Sequence, residues 1–138
     1  MSKGMLIAGV SLALLAVGGI QSSEAQQYVS TTAFKVPFTR LDSLQKLLKA
    51  TKAVDQEAKR RGGVVDNVWL IHAWGGEQTV VNMTTWKSWA AMEDTALGFN
   101  AATRKVYPDS AQRKRINDGF EWVFEGQPHV DNIYQKAE

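Results

Sequence analysis

Asn67, Trp69 and Asn82 bring two amides and an indole to one face of an expected strand pair, which suits a small-molecule pocket. Such pockets combine apolar walls with a few placed polar groups. The same residues also fit a simpler account, in which the asparagines satisfy each other or the backbone. His72 sits mid-strand between Ile71 and Ala73. Imidazole titrates near neutral pH, so His72 is a candidate ligand residue, a general base or a haem or metal ligand. Its simpler account is a half-buried histidine donating to a carbonyl. His129 and Asp131 are two apart, so on a strand they point the same way. That spacing suits either a pair of ligands for a borderline ion or a solvated strand edge.

With 2 histidines and no cysteine, thiolate chemistry and most histidine-rich metal centres are excluded, and no metal site is expected. There is no glycine-rich phosphate loop, no HExxH and no nucleophile elbow. Trp86 and Trp89, three apart at an expected helix start, read as core packing. Asn82-Met83-Thr84 matches a glycosylation sequon but falls inside an expected strand.

These residues depend on a β-α-β-β-α-(α)-β order. Tyr28 to Val36 is rich in β-branched and aromatic residues and is stopped by Pro37. From Arg40 to Arg61, Leu41, Leu44, Leu48, Val54 and Ala58 form an apolar stripe at helical spacing, closed by Gly62-Gly63. Val64 to Trp74 reads as a long strand, Gly75-Gly76 as a hairpin turn, and Gln78 to Thr85 as the return. Thr84 or Thr85 then caps a helix running from about Trp86 toward Leu97. Phe99 to Tyr107 has no clear period, Ser110 to Phe124 reads as helix, and His129 to Gln135 as a last strand. The order predicts an α+β, ferredoxin-like antiparallel sheet with helices on one face.

Around the turn, even-numbered residues of one strand share a face with odd-numbered residues of the other. Val68, Leu70, His72 and Trp74 therefore group with Thr79, Val81 and Met83, while Asn67, Trp69, Ile71 and Ala73 group with Val80, Asn82 and Thr84. A sheet with one solvated face alternates apolar and polar residues, and this one does not. Helices cover only one face, so the other calls for a second cover. An isologous homodimer would provide it, with the face holding Asn67, Trp69 and Asn82 inside the resulting barrel; the alternative is that the additional helical segment wraps over that face within the monomer.

Residues 1–25 carry the marks of a secretory signal peptide: Lys3, an apolar core from Met5 to Ile20, and small residues at Ser23 and Ala25. Export to the periplasm or medium follows as an expectation, with residues 26–138 as a single domain. No membrane contact is expected after cleavage. The alternative keeps the leader as the anchor of an accessory subunit in a membrane complex. A net charge of +2 over 138 residues, with short basic clusters only, gives no footprint for nucleic acid.

The element order, the stretch Trp86-Lys87-Ser88-Trp89-Ala90-Ala91-Met92-Glu93 and the closing His129-Val130-Asp131-Asn132-Ile133-Tyr134 resemble the dimeric α+β barrel superfamily. That superfamily includes antibiotic-biosynthesis monooxygenase-like, haem-degrading, EthD-like and NIPSNAP-like proteins, and the likeness is strongest to uncharacterised exported bacterial members. The resemblance implies sheet-to-sheet pairing of two subunits. Two functional expectations follow: a non-catalytic dimer that binds a small apolar ligand or stabilises another assembly, without cofactor, or a cofactor-independent monooxygenase or haem-handling enzyme.

Overall fold

Pro37 and the paired glycines at 62–63 punctuate the first third of the chain, and the elements break there. The computed structural model describes residues 26–72 and 79–137. Its elements are β1 (Tyr28–Phe34), α1 (Phe38–Ala50), α2 (Lys52–Arg60), β2 (Val64–Ile71), β3 (Val80–Trp86), α3 (Trp89–Glu93), α4 (Phe99–Val106), α5 (Ser110–Phe124) and β4 (His129–Gln135). The strands form one antiparallel sheet in the order β2-β3-β1-β4, with helices packed on one face. This is the ferredoxin-like arrangement. The leader 1–25, Ala73, Trp74 and the Gly75-Gly76 turn lie outside the described residues.

The helix expected over Arg40 to Arg61 is two helices, divided at Thr51. The Thr51 hydroxyl donates to the Leu47 carbonyl at 3.0 Å, and the backbone there leaves helical geometry at φ −95°, ψ 5°. A threonine bonding back to i−4 bends a helix in this way. The bend lets α1 lie along α5 while α2 lies against α4 and β2. Gly62, at φ +83°, takes the left-handed conformation that stops α2.

Three other boundaries shift. Trp86 ends β3 rather than opening a helix, and Ser88 caps α3, accepting from the Ala91 N–H at 3.1 Å. Trp86 is core, as expected, but Trp89 is 46% exposed and, among the described residues, its aromatic partner is Tyr28, met edge-on. Phe99 to Val106, without a clear period in sequence, forms α4.

Two apolar clusters hold the helices to the sheet. Val36, Leu44, Val80 and Val123 are buried together, with Trp69, Phe120 and Phe124 packed against them. Val54, Ala58, Val64, Trp86 and Ala102 form the second, with Phe99 beside them. At about 25 cal/mol per Å2 removed from water, burial of such aliphatic and aromatic groups dominates the fold's stability.

The register confirms the grouping of faces: Asn67 pairs with Thr84, Trp69 with Asn82, Val68 with Met83 and Leu70 with Val81. It corrects which face the helices take. Asn67, Trp69 and Asn82 lie beneath the helices, where Trp69 stacks on Phe124 of α5 at 6.3 Å between centroids. They are not on the face left open for a second copy. Alternation separates two faces but carries no sign for which one the connections cover. The open face holds Val68, Leu70, Val81, Met83 and their β1 and β4 neighbours Val29, Ala33, Val130 and Tyr134. Leu70 and Tyr134 on it are 48% and 54% exposed.

Candidate functional site

Between the two clusters a cleft opens over the β2–β3 half of the sheet. Leu48, Val54, Trp69, Phe99 and Phe120 wall it, and Asp55, Asn67 and Asn82 lie at its polar end. Its volume is about 180 Å3. An apolar cavity of about 150 Å3 takes a benzene ring, so this space suits a body of one ring or a short chain.

The polar end is a directed chain of hydrogen bonds. Asn67 Nδ2 donates to Asp55 Oδ1 at 3.0 Å. Asn67 Oδ1 accepts from Asn82 Nδ2 and from the buried Thr84 hydroxyl, both at 2.9 Å. An ionised carboxylate only accepts, so Asp55 fixes the Asn67 amide, and Asn67 in turn fixes Asn82. The strand pairing positions these groups. Asn67 faces Thr84 directly, and Asn82 lies one register step away opposite Trp69. Asp55 reaches them from α2, which the bend at Thr51 turns onto β2.

Burial pushes the Asp55 carboxyl above its ordinary range, and the Asn67 hydrogen bond and the Lys59 charge only partly oppose this. Lys59 itself pairs with Asp66 at 2.6 Å on the surface. Two other hydroxyls at the cleft spend their protons elsewhere: Thr51 donates to Leu47 O at 3.0 Å and Thr103 to Phe99 O at 2.8 Å. Toward the cleft they have only lone pairs to give.

Of the residues singled out in sequence, Asn67, Trp69 and Asn82 are brought together here, and His72 is not. His72 lies just past the end of β2, its N–H donating to Thr79 O at 2.7 Å. Its Nε2 is buried without a hydrogen-bond partner among the described residues. His129 and Asp131 approach to 3.4 Å on exposed β4, with side chains 54% and 62% exposed, and among the described residues no third ligand joins them. The sequon residue Asn82 has its amide engaged in the network. Haem does not fit the cleft. Among the described residues no histidine, cysteine, methionine or tyrosine lines it, and its volume falls short of a porphyrin.

Asp55, Thr84, Phe99 and Phe120 complete the site without having been singled out for it. Asp55 had a signal: it stands seven residues after Leu48 and four after Thr51, which puts a carboxylate beside the apolar stripe. Phe99 lies in the segment whose period is unclear.

No protein-family model matches the chain, and no curated protein matches it. Solved structures do. A dimeric ferredoxin-like protein from an uncultured marine organism superposes with a TM-score of 0.56 at 16% identity, over 82% of this chain and 97% of its own. A candidate antibiotic-biosynthesis monooxygenase from Caulobacter crescentus superposes with a TM-score of 0.54 at 11% identity, covering 83% and 93%. A protein of unknown function from Nitrosomonas europaea gives 0.52 at 10% identity, again covering 83% and 93%. These neighbours are of the kind the sequence resemblance implied, and at such identities the likeness speaks for architecture. The chain has the ferredoxin-like α+β fold.

Proposed function

We propose that this chain is a non-catalytic homodimer that holds one small, largely apolar molecule per subunit in the cleft between Trp69 and the helices. One observation carries the reading: an apolar cleft between two packed clusters ends in the ordered Asp55–Asn67–Asn82–Thr84 chain. A groove that existed only through imperfect packing would have no reason to hold a half-buried carboxylate. Pairing through the open sheet face is supported by its run of exposed aliphatic side chains, which monomers rarely leave uncovered. A neighbour of the same fold is described as dimeric. Export, with removal of residues 1–25, belongs to the same proposal and rests on the charge, apolar core and small residues of that segment.

A second reading, a cofactor-independent oxygenase, is favoured by Asp55. A carboxylate whose burial raises its proton affinity is a better general base than one in water. Sedimentation and intact mass of protein from the native host test the first reading: a two-chain species beginning at Gln26 is expected. A monomer would remove the dimer, and a mass that includes residues 1–25 would return the anchored subunit. Consumption of oxygen with any small phenol, abolished by Asp55→Asn in a folded dimer, would move the second reading ahead.

A further inference from the structure

We propose that the cleft selects a small organic cation: a protonated amine on a body of about one ring, with its ammonium against Asp55. This rests on reading the cleft as the ligand site, and it names the class of ligand.

Charge is the first argument. Asp55 is the only ionisable side chain among the described residues that line the cleft, and it is half-buried. Lys59, whose charge acts on Asp55, makes its own ion pair with Asp66 at 2.6 Å. The carboxylate takes one hydrogen bond, at Oδ1, and its Oδ2 accepts none among the described residues. A half-buried carboxylate that forms no ion pair among the described residues is short of a counter-charge, and a bound cation would supply it.

The direction of the hydrogen bonds is the second. The Thr84 hydroxyl and the Asn82 amide both donate to Asn67 Oδ1, Asn67 Nδ2 donates to Asp55, and the Thr51 and Thr103 protons are held by backbone carbonyls. On the α2 and α4 side the cleft therefore offers oxygens that accept. An ammonium has three donors and no acceptor, which matches that set. Beside Asp55 a carboxylate or phosphate would meet like charge; the Asn117 amide of α5, which also lines the cleft, is a donor that an ammonium does not need.

Aromatic rings are the third. Trp69, Phe99 and Phe120 line the cleft, and ring faces attract cations, tryptophan most strongly. Packing holds these rings in place before any ligand arrives. Trp69 and Phe120 each stack on Phe124 with centroids 6.3 Å apart, and Phe99 meets Trp86 edge-on at 6.1 Å.

The experiment is calorimetric titration of the protein as isolated from its host with three compounds of one shape: 2-phenylethylamine, 2-phenylethanol and phenylacetate, at pH 7.5. The expected order is ammonium, then alcohol, then carboxylate, with the ammonium at least tenfold tighter than the alcohol. In Asp55→Asn that tenfold advantage disappears, whatever the alcohol's own affinity becomes. Thermal melting of the variant, expected at or above the parent's temperature, establishes that it is folded. Equal binding of alcohol and ammonium would overturn the cation while leaving the ligand site standing. So would an advantage that survives in Asp55→Asn. Binding by none of the three at millimolar concentration would remove the ligand site, and the cation with it.

Discussion

Asn67→Ala is the substitution that most directly tests the polar end of the cleft. It removes three hydrogen bonds: to Asp55, from Asn82 and from Thr84. At about 1 kcal/mol net for each, the bonds themselves amount to about 3 kcal/mol. Two of the orphaned groups keep a weaker partner at 3.4 Å, Thr84 at Asn82 Oδ1 and Asn82 at the Val68 carbonyl. Asp55 keeps none of its side-chain hydrogen bonds among the described residues. The expected loss at pH 7 is therefore about 1–2 kcal/mol, read by urea denaturation at fixed protein concentration. Its pH dependence has a definite sign. Burial raises the folded-state pKa of Asp55 and the Asn67 bond lowers it, so losing Asn67 raises it further. A raised carboxyl favours folding while pH is below the ordinary value of 3.8, and that advantage is lost as pH rises through the folded-state pKa. The loss is greater in Asn67→Ala, so its destabilisation should grow from pH 3.5 to pH 7. Asp55→Asn should offset part of it at pH 7, and more of it than it adds to the parent. A destabilisation under about 0.5 kcal/mol, or one that shrinks toward neutral pH, would show that Asn67 does not hold Asp55.

Three further outcomes follow from the same structure. Trp69→Ala, which strips a ring from the Val36–Leu44 cluster and from the cleft wall, is expected to cost about 3 kcal/mol in chemical denaturation. Leu70→Asp changes a 48% exposed residue on the open face, so it should leave helical circular dichroism unchanged while sedimentation velocity shows monomers. His129→Ala, at an exposed pair on β4, should move stability by less than about 0.5 kcal/mol at pH 6 and pH 8, which thermal melting reads.

The sequence carried the strands well, because β-branched runs end at prolines and glycines. Pro37 closes β1, the glycines at 62–63 close α2, and both Ser110–Phe124 and His129–Gln135 fall where expected. Residue parity also carried the grouping of Asn67, Trp69 and Asn82. What alternation lacks is a sign: it cannot say whether the Val68 face or the Trp69 face meets the helices. That depends on how the chain leaves β1 into α1, a long-range packing choice. The Thr51 break was hidden because threonine is compatible with a helix and bends it only through its own hydroxyl. Asp55 was overlooked for a related reason. A charge in a helix reads as solvated until the neighbouring strand shows what it faces, here Asn67. His72 fell short for the opposite reason. Its chemistry is versatile, but the strand ends before it and it is not among the described residues that line the cleft.

Whether the cleft beside Trp69 holds a ligand can be read by mass spectrometry of the native dimer from its own host. One small amine-bearing molecule per chain is expected, retained under gentle desolvation and lost in Trp69→Ala dimers that remain folded. A parent dimer carrying nothing, or a ligand that stays bound unchanged in Trp69→Ala, would contradict a ligand site there.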